Sequence, residues 1–304
     1  MQKLQIKKAF IERYKELTEF DEFEIYLNKF IRKTIRINTL KSDLNIVVEN
    51  LSYLNLKKIP WYNYSFWVES EKRDLGNLIE HKLGYIFVQE AASIIPSIAL
   101  NPKEKDLVLD MCASPGAKTS HIAELMNNKG LIIANEKNYS RLSALNANIN
   151  RCGVMNSVIT LMDARNINYK FDKILLDAPC TSSGTIRGIT SNSRYLINSW
   201  NLSKIISTSN LQKKLILRAY ENLNENGNLV YSVCSLEPEE CEEVIQYLLE
   251  NTDAKIEKIN LDIKSKINLN FNNKEYSKEI KKCIKLWPQF YDTEGFFIAK
   301  IKKL

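Results

Sequence analysis

The sequence predicts an α/β protein: a mostly parallel β-sheet with helices on both faces, preceded by a smaller α+β unit. From Asp106 onward, short apolar runs of strand character alternate with amphipathic stretches of helical spacing. The runs are LVLDM, LIIANE, SVITLMD, KILLDAP, NLVYSVC and GFFIAKI. Such alternation is typical of a parallel sheet, which binds ligands in the crevice at the carboxyl ends of its strands.

Residues 1–105 follow a different pattern and are predicted to form the smaller unit. Charged amphipathic stretches and a short strand-like run, TIRINT, replace the regular alternation. The predicted elements are helices over 4–17, 21–33 and 43–54 and a strand over 34–39. We therefore predict two domains, 1–105 and 106–304.

Composition excludes several classes of protein. With 304 residues, of which 44% are hydrophobic, the chain can bury a substantial core. No apolar run approaches the ~20 residues of a membrane helix, and the start MQKLQIKKAF lacks the apolar core of a signal peptide. We therefore expect a cytoplasmic protein without membrane contact, and a monomer. Six cysteines without a CxxC pair and only two histidines argue against a metal site and predict reduced thiols.

The charge distribution favours an anionic partner. The formal net charge is +7, and no Asp or Glu occurs between Ala178 and Tyr220. The cations in this stretch are Arg187, Arg194, Lys204, Lys213, Lys214 and Arg218. A charge run can also be a plain solvated face, but this one includes a candidate reactive loop. We therefore expect an anion-facing surface that includes Arg187 and Arg194 and is compatible with contacts to the phosphates of a nucleic acid.

The segment LVLDMCASPGAKTSHIAELM is predicted to run from a strand through a loop of small residues into a helix. The loop residues are Cys112, Ala113, Ser114, Pro115, Gly116 and Ala117. Their small size lets backbone amides and the helix N-terminus approach a ligand closely. Neither GxxxxGK[ST] nor GxGxxG is present, which argues against a phosphate-binding loop and against a dinucleotide site.

Four predicted strands each end in an acidic residue: Asp110, Glu136, Asp163 and Asp177. A single acid in such a place is more often a turn or cap residue. Together they suit a positively charged nucleoside that has no phosphates, such as S-adenosylmethionine. Glu136 can accept hydrogen bonds from ribose hydroxyls, and Asp163 is placed to meet an adenine amino group.

Several motifs of this chain resemble the signatures of the Sun (Fmu, RsmB-like) family of RNA cytosine-5 methyltransferases. They are DMCASPGAKT, DAPCTSSG, YSVCSLEPEEC and WPQFYDTEGFFIAK. Upstream, RINTLK, IPWYNYSFWVES and LGNLIEHKLGYIFVQEAAS are similar to the short archaeal members that act on tRNA. The resemblance implies a Rossmann-like, S-adenosylmethionine-dependent methyltransferase domain behind an RNA-binding unit of RRM-like topology. It implies an RNA substrate, with tRNA favoured and rRNA as the alternative.

The resemblance also implies individual residue roles. The residues expected to hold S-adenosylmethionine are Cys112, Ala113, Ser114, Pro115, Gly116, Ala117, Lys118, Glu136, Arg141, Asp163 and Asp177. We further expect Arg36 and Asn38 of RINTLK to contact RNA, although a strand edge is the alternative for both.

The chain departs from the family pattern in two places. Gly116-Ala117 replaces the usual Gly-Gly, which is tolerable if Ala117 keeps a negative φ. Gln289 and Tyr291 stand where the family has histidines, so any function of those histidines is in doubt.

The implied reaction needs a thiolate. Carbon 5 of cytosine is a weak nucleophile until a thiolate adds to carbon 6 and places electron density on carbon 5. A proton must then leave carbon 5 and the thiol must depart. We expect Asp177 to stabilise the charge that develops on the ring edge. Lys118 is expected either to add a positive charge there or to lie on the helix surface.

Two cysteines compete for the nucleophilic role. Cys180 follows a proline, as does the nucleophile of DNA cytosine methyltransferases. Cys234 precedes a helix predicted to start near Pro238, whose dipole would lower the pKa of the thiol. Acidic residues in the same turn oppose that effect: Glu237, Glu239 and Glu240. The residues alone leave both open, whereas the resemblance implies that Cys234 attacks and Cys180 assists release.

Two other functions stay open. A methyltransferase acting on an exocyclic amine would need an Asn/Asp-Pro-Pro-aromatic loop in place of DAPC. A non-catalytic RNA-binding scaffold would need neither thiol, but both thiols and all four acids are present.

Overall fold

Two β-sheets organise the protein in the computed structural model, which describes residues 4–70 and 74–304. The first three residues of the MQKLQIKKAF start therefore lie outside the described residues. Among the described residues, no helix combines the length and apolar character needed to cross a membrane.

The first sheet is built from the N-terminal part of the chain. Its elements are α1 (Lys8–Leu17), α2 (Phe20–Asn28), β1 (Lys33–Ile37), α3 (Leu44–Asn50), β2 (Leu56–Lys58), β3 (Ser65–Val68), α4 (Ile79–Lys82) and β4 (Ile86–Val88). The strands pair antiparallel in the order β2–β3–β1–β4. From β1 onward the chain runs strand, helix, strand, strand, helix, strand, which is the connectivity of an RRM-like unit.

The second sheet carries the rest of the chain. Its elements are α5 (Ile95–Leu100), β5 (Leu107–Asp110), α6 (Ala117–Leu125), β6 (Leu131–Glu136), α7 (Tyr139–Cys152), β7 (Ser157–Leu161), β8 (Phe171–Asp177), α8 (Ser191–Ser199), α9 (Leu202–Glu221), β9 (Leu223–Val233), α10 (Glu242–Asn251), β10 (Lys255–Glu257), β11 (Asn270–Phe271), β12 (Lys274–Glu275), β13 (Ile284–Leu286), α11 (Pro288–Tyr291) and β14 (Phe296–Lys302).

The order of this sheet is β10–β14–β9–β8–β5–β6–β7, with β13 paired to β14 and a separate β11–β12 hairpin. Strands β5 to β9 are parallel to their neighbours, and β14 is antiparallel to β9. The predicted α/β fold with a parallel sheet is confirmed. Because β5 and β8 are adjacent in the sheet but not in the chain, the order reverses there and opens a crevice for a ligand.

The first two helices pack on the second sheet rather than on the first. Phe10, Tyr14 and Phe23 stack on one another, with ring centroids 4.0 and 5.2 Å apart. They belong to the same buried cluster as Tyr231 of β9 and Trp287. The division at 105/106 stays a prediction, but these helices pack against the second sheet although they precede it in sequence.

Arg36 of β1 joins the two sheets from a fully buried position. Its guanidinium donates to Glu124 Oε1 and Ser120 Oγ, both at 2.8 Å, and to the Ala117 carbonyl at 2.8 Å. Gln89 Oε1 accepts a further hydrogen bond at 2.6 Å. Burial raises the pKa of Glu124 to about 7, which the nearby Arg36 counteracts. The structure contradicts the prediction that Arg36 contacts RNA, because its side chain is fully buried and its two terminal nitrogens bond to α6 and Gln89.

Main-chain carbonyls accept most of the other bonds at this junction. Asn38 Nδ2 donates to the Cys152 carbonyl at 2.8 Å, and Lys41 Nζ donates to the Arg151 carbonyl at 3.2 Å. Arg151 Nη1 in turn donates to the carbonyls of His81 and Ile86. Asn38 is fully buried, so its predicted contact with RNA is also contradicted.

Candidate active site

The carboxyl ends of the parallel strands surround a cavity of about 730 Å³. Parallel strands end at the same edge of a sheet, so side chains that are distant in sequence meet there. Its lining includes the following polar residues and cysteines: Cys112, Ser114, Glu136, Arg141, Asp163, Asp177, Cys180, Ser182 and Cys234. The cavity therefore brings together acids from three strand ends and three free cysteines.

Glu136 at the end of β6 has one oxygen without a partner. Oε1 accepts a hydrogen bond from the Asn138 amide at 2.8 Å. Oε2 is buried and makes no hydrogen bond with the described residues, although it lies 3.5 Å from Arg141 Nη1. A buried acceptor without a donor is costly, so this oxygen is suited to a ligand hydroxyl.

Asp163 follows β7 and is held by two exposed cations. Lys137 Nζ donates to Oδ2 at 2.7 Å, and Arg165 donates to both carboxylate oxygens at 2.9 and 2.6 Å. The hydrogen bonds from Arg165 are the main cause that lowers the pKa of Asp163. Asp163 is therefore ionised and lies at the cavity wall.

The small-residue loop contributes less to the cavity than predicted. Cys112 and Ser114 line it, whereas Ala113, Pro115, Gly116 and Ala117 are absent from its described lining. A Cβ at Gly116, where φ is 100°, would lie 3.2 Å from Leu145 Cδ1 and 3.5 Å from Asn148 Cβ. Gly116 thus faces α7, so direct contact of these four residues with a ligand in the cavity is not supported. Ala117 has no positive φ, as its place in the motif requires.

Asp177 at the end of β8 is fixed by two donors. Lys118 Nζ donates to Oδ2 at 2.8 Å and also to Ser93 Oγ at 3.0 Å. Ser232 Oγ of β9 donates to Oδ1 at 2.7 Å. The side chain of Lys118 is only 11% exposed and reaches Asp177, so it does not lie on the helix surface. Lys118 is not among the described residues that line the cavity. It supplies a buried positive charge beside that carboxylate.

Cys180 and Cys234 face each other with 3.3 Å between their sulfur atoms. The register of β8 and β9 pairs Asp177 with Ser232, so the residues that follow emerge side by side. The hydrogen bond between the two thiols is the main cause that lowers the pKa of Cys234 and raises that of Cys180. The Lys118 ammonium also lowers the pKa of the Cys234 thiol.

The predicted cause of thiol activation is different from the observed one. Helix α10 begins at Glu242, and residues 238–241 form a turn, so no helix N-terminus follows Cys234 directly. Glu237 is instead buried, where it accepts hydrogen bonds from Tyr14 and Trp200 and pairs with Arg13. Neighbouring side chains, rather than a helix dipole, thus distinguish the two thiols.

Sequence reasoning missed three polar residues around this site. Ser93 and Ser232 bond Lys118 and Asp177, and Glu240 bonds both loops that carry the thiols. Ser232 stands two residues before Cys234 in YSVCSLEPEEC, so alternation along a strand was a usable signal for it. No sequence signal connects Ser93 with Lys118.

Family comparisons place most of the chain in one group. A family model described as 16S rRNA methyltransferase RsmB/F matches residues 97–302. The chain belongs to the RsmB/F family of RNA methyltransferases. A second model, the N-terminal domain of 16S rRNA methyltransferase RsmF, matches residues 6–91. The Sun/Fmu resemblance and the predicted methyltransferase activity on RNA cytosine are thereby confirmed.

This RsmB/F member is similar both to a relative named for tRNA and to a relative named for ribosomal RNA. The tRNA (cytosine(49)-C(5))-methyltransferase of Pyrococcus abyssi is 44% identical over 305 residues, covering 98% of this chain and 96% of the relative. The ribosomal RNA small subunit methyltransferase F of Psychromonas ingrahamii is 37% identical, covering 99% of this chain. The match covers 64% of that longer relative.

Solved structures agree with the RsmB/F assignment. A methyltransferase homologue from Pyrococcus horikoshii superposes with a TM-score of 0.88 at 37% identity, covering 99% of this chain and 96% of that one. NSun6 from Pyrococcus horikoshii, solved with SFG, an S-adenosylmethionine analogue, gives a TM-score of 0.84 at 26% identity over 98% of both chains. The fold is that of S-adenosylmethionine-dependent methyltransferases.

The residues that replace the family histidines have structural contacts here. Gln289 Nε2 donates to Thr18 Oγ1 at 2.8 Å, at the end of α1. Tyr291 accepts a hydrogen bond from the Lys264 amide at 2.7 Å, and its ring lies edge-on to Trp61 at 5.3 Å. Both therefore help to hold the C-terminal motif against other parts of the fold.

The acid-free stretch divides into buried and exposed cations. Arg187 is buried, and its guanidinium donates to Asp292 and to the carbonyls of Thr293 and Tyr26. The prediction that Arg187 contacts RNA is therefore contradicted. Arg194 of α8 and Lys204 of α9 are exposed.

Proposed function

We propose that this protein transfers a methyl group from S-adenosylmethionine to carbon 5 of a cytosine in tRNA, through a covalent bond between Cys234 and carbon 6 of the base. The observation that carries the proposal is the pair of thiols 3.3 Å apart at one end of the cavity. A reaction without a covalent step needs no second thiol beside the first.

The residues of the cavity fit the cofactor. The unpartnered Glu136 Oε2 is an acceptor for a ribose hydroxyl, and Asp163 is an ionised acceptor further along the wall. Arg141 donates to the Ser114 carbonyl at 2.7 Å and so holds the loop above the cavity. When bound, the cofactor supplies an electrophilic methyl group. No phosphate-binding loop is present, in agreement with a nucleoside ligand without phosphates.

Cys234 would start the reaction as a thiolate. Its lowered pKa increases the thiolate fraction at neutral pH, and the thiolate is the form that attacks carbon 6. The Asp177 carboxylate would accept a hydrogen bond from the cytosine edge, with Lys118 beside it to stabilise developing negative charge. Carbon 5 then carries the electron density that makes it nucleophilic.

Cys180 would act when the methylated base is released. Its raised pKa keeps it protonated at neutral pH. A protonated thiol beside the Cys234 sulfur stabilises that sulfur as a thiolate when its bond to carbon 6 breaks, because the leaving thiolate gains a donor. In the same step carbon 5 loses its proton to solvent water, the carbon 5–carbon 6 double bond forms again, and the electron pair of the carbon 6–sulfur bond returns to Cys234.

A tRNA substrate is favoured by the extent of similarity. The relative named for tRNA cytosine 49 matches across 96% of its own length, whereas the relative named for ribosomal RNA is matched across 64%. The exposed Arg194 and Lys204 are candidates for phosphate contacts. Ribosomal RNA is the second candidate, because both family models carry 16S rRNA names.

A methylation assay tests the proposal. The protein is incubated with methyl-labelled S-adenosylmethionine and either unmodified tRNA or 30S-derived rRNA, and nucleosides are analysed by mass spectrometry. We expect 5-methylcytidine in tRNA. Label on an exocyclic amine would contradict carbon-5 chemistry, label in rRNA alone would contradict the tRNA substrate, and no label in either would contradict the activity.

A further inference from the structure

Glu240 contacts both loops that carry the thiols. It is fully buried. Oε2 accepts hydrogen bonds from Thr181 Oγ1 and Ser235 Oγ, both at 2.5 Å. Oε1 accepts from the Thr181 amide at 2.9 Å. Thr181 directly follows Cys180, and Ser235 directly follows Cys234.

The strand pairing alone does not determine how far apart the two sulfur atoms lie. The ladder between β8 and β9 ends at Asp177 and Ser232, and both thiols lie beyond it, Cys180 three residues and Cys234 two residues further along. One main-chain bond, from the Gly184 amide to the Cys234 carbonyl at 3.1 Å, joins the two loops, and the side-chain bonds of Glu240 add to it next to both thiols. A carboxylate can take several donors at once, and charge-assisted bonds are stronger than neutral ones.

We propose that Glu240 is a positioning residue for the proposed methyl transfer: its carboxylate ties Thr181 to Ser235 and thereby sets the separation of Cys180 from Cys234. This inference rests on the proposed function, because the separation matters only if one thiol attacks and the other assists. Glu240 touches neither sulfur and acts through its neighbours.

Charge from Glu240 also separates the chemical states of the two thiols. Its carboxylate is among the groups that raise the pKa of Cys180, whereas it is not a leading influence on Cys234. A negative charge nearer to Cys180 favours the arrangement in which Cys180 keeps its proton and donates to the Cys234 thiolate. Glu240 thus influences both the separation of the two thiols and which of them holds the proton.

Burial of this carboxylate is costly, and it is offset by its donors. Desolvation raises the pKa of Glu240 to about 7, with hydrogen bonds from Ser235 and Thr181 opposing the rise. Gln212 supports the arrangement, because its Nε2 donates to the Pro179 carbonyl at 2.8 Å. If Glu240 had only a structural role, a neutral side chain such as glutamine could fill the same place. Replacement by glutamine therefore distinguishes a structural role from a positioning role.

The test uses four variants of the full chain. Glu240→Gln replaces one acceptor by a donor and removes the charge, and Thr181→Val removes one hydroxyl donor while keeping its shape. Thr181→Ser restores the hydroxyl. Glu242→Gln is the matched control, since Glu242 is a buried carboxylate two residues away that pairs with Lys285 at 2.9 Å.

Two readouts separate positioning from stability. One is kcat and KM with tRNA and S-adenosylmethionine, next to the Tm of each variant. The other is the rate at which iodoacetamide alkylates Cys234 as a function of pH in RNA-free protein, followed by mass spectrometry of the Cys234 peptide. The second readout needs no methylation and so distinguishes failure of this inference from failure of the proposed function.

We expect Glu240→Gln to lower kcat by about 10- to 100-fold with KM values within about threefold, as for a small misplacement of reacting groups. Thr181→Val should lower kcat less, and Thr181→Ser should keep it near the wild-type value. The pH profile of Cys234 alkylation should differ from that of the wild type in Glu240→Gln and Thr181→Val, but not in Thr181→Ser. If Glu240→Gln and Thr181→Val match Glu242→Gln in both kcat and the alkylation profile, Glu240 is a structural residue and the inference is overturned.

Discussion

The two ends of the cavity are held together in different ways. At the end formed by β8 and β9, the polar groups bond to one another: Lys118 to Asp177, and Cys180 to Cys234. At the end formed by β6 and β7, Asp163 bonds to cations that face solvent, since the side chains of Lys137 and Arg165 are 65% and 42% exposed.

The two ends therefore differ in how their polar groups are partnered. At the thiol end these groups already bond to one another, whereas at the other end solvent-facing cations occupy the acceptors of Asp163. At the thiol end, partly buried groups are bonded to one another, and electrostatic stabilisation of a reaction requires such groups to be in place before the substrate arrives. Exposed ion pairs contribute little to stability and are easily exchanged for a ligand group. The groups at the thiol end are therefore bonded to one another, whereas Asp163 at the other end has exposed partners that a ligand group can replace.

The largest effect is expected from the thiols themselves. Cys234→Ala should lower methylation by at least about 10⁴-fold and give no covalent complex, because the ring is never activated. Cys180→Ala should still attack and methylate, then stall with RNA bound to Cys234, visible as a slower band on a denaturing gel.

The double variant provides the control for that band. If Cys234 holds the RNA, adding Cys234→Ala to Cys180→Ala removes the band. Accumulation of the complex in Cys234→Ala, with Cys180→Ala inert, would reverse the two roles.

The next largest effect is expected at Asp177. Asp177→Ala should lower kcat by about 10²- to 10³-fold and change cofactor affinity less, because a preformed charge acts chiefly in the transition state. Steady-state kinetics and calorimetry measure the two quantities. Ser232→Ala, which removes one donor to Asp177 at 2.7 Å, serves as the milder comparison. Equal losses in kcat and affinity at Asp177 would make it a binding residue only.

A smaller effect is expected at the open end. Asp163→Ala should weaken cofactor binding by about tenfold, the size of one hydrogen bond to a charged group, and leave RNA binding unchanged. Calorimetry with S-adenosylmethionine measures it. Lys137→Ala is the control, because an exposed partner should be replaceable by water. Normal affinity in Asp163→Ala would remove this residue from the site.

A final comparison concerns folding stability and contrasts Asp163 at the open end with Asp110, a buried strand-end acid outside the cavity lining. Burial raises the pKa of Asp110 at the end of β5 to about 7, so the native state holds its proton more tightly than the unfolded state. Its contribution to stability therefore falls as pH rises from about 4 to 7, by at most about 1.4 kcal/mol per pH unit. Asp163 has a lowered pKa, and its contribution is lost only in acid below its usual range.

Denaturant unfolding between pH 4 and 8 checks this contrast. Asp110→Asn should flatten the decline above pH 4, and Asp163→Asn should not. An unchanged slope in Asp110→Asn would mean that other buried carboxyls, such as Glu124, dominate the decline.

Local sequence patterns predicted the elements that bear on the site, but they did not predict which charges are buried. Apolar runs mark the strands, and parallel strands bring their ends together, so the placing of Glu136, Asp177 and the thiols at one edge followed from spacing alone. The partner of Arg36 is Glu124, 88 residues away, and no local pattern connects them. Arg187 was misjudged for the same reason, since its acceptors lie near residues 26 and 292.

The glycine-containing loop illustrates a second limit. Small residues after a strand are compatible both with a close ligand and with a close helix. Gly116 turned out to face Leu145 of α7, which depends on how α7 crosses the sheet. Packing of a distant helix decides between the two uses, and the composition of the loop cannot.

Several hydrogen bonds at the junction between the two sheets join a side-chain donor to a main-chain acceptor. Asn38, Lys41 and Arg151 supply the donors, and the acceptors include main-chain carbonyls such as those of Cys152 and His81. Every residue type carries a carbonyl, so a point mutation at an acceptor position leaves the acceptor in place. At these carbonyl acceptors a change of side chain keeps the bond, whereas substitution of Asn38, Lys41 or Arg151 removes the donor.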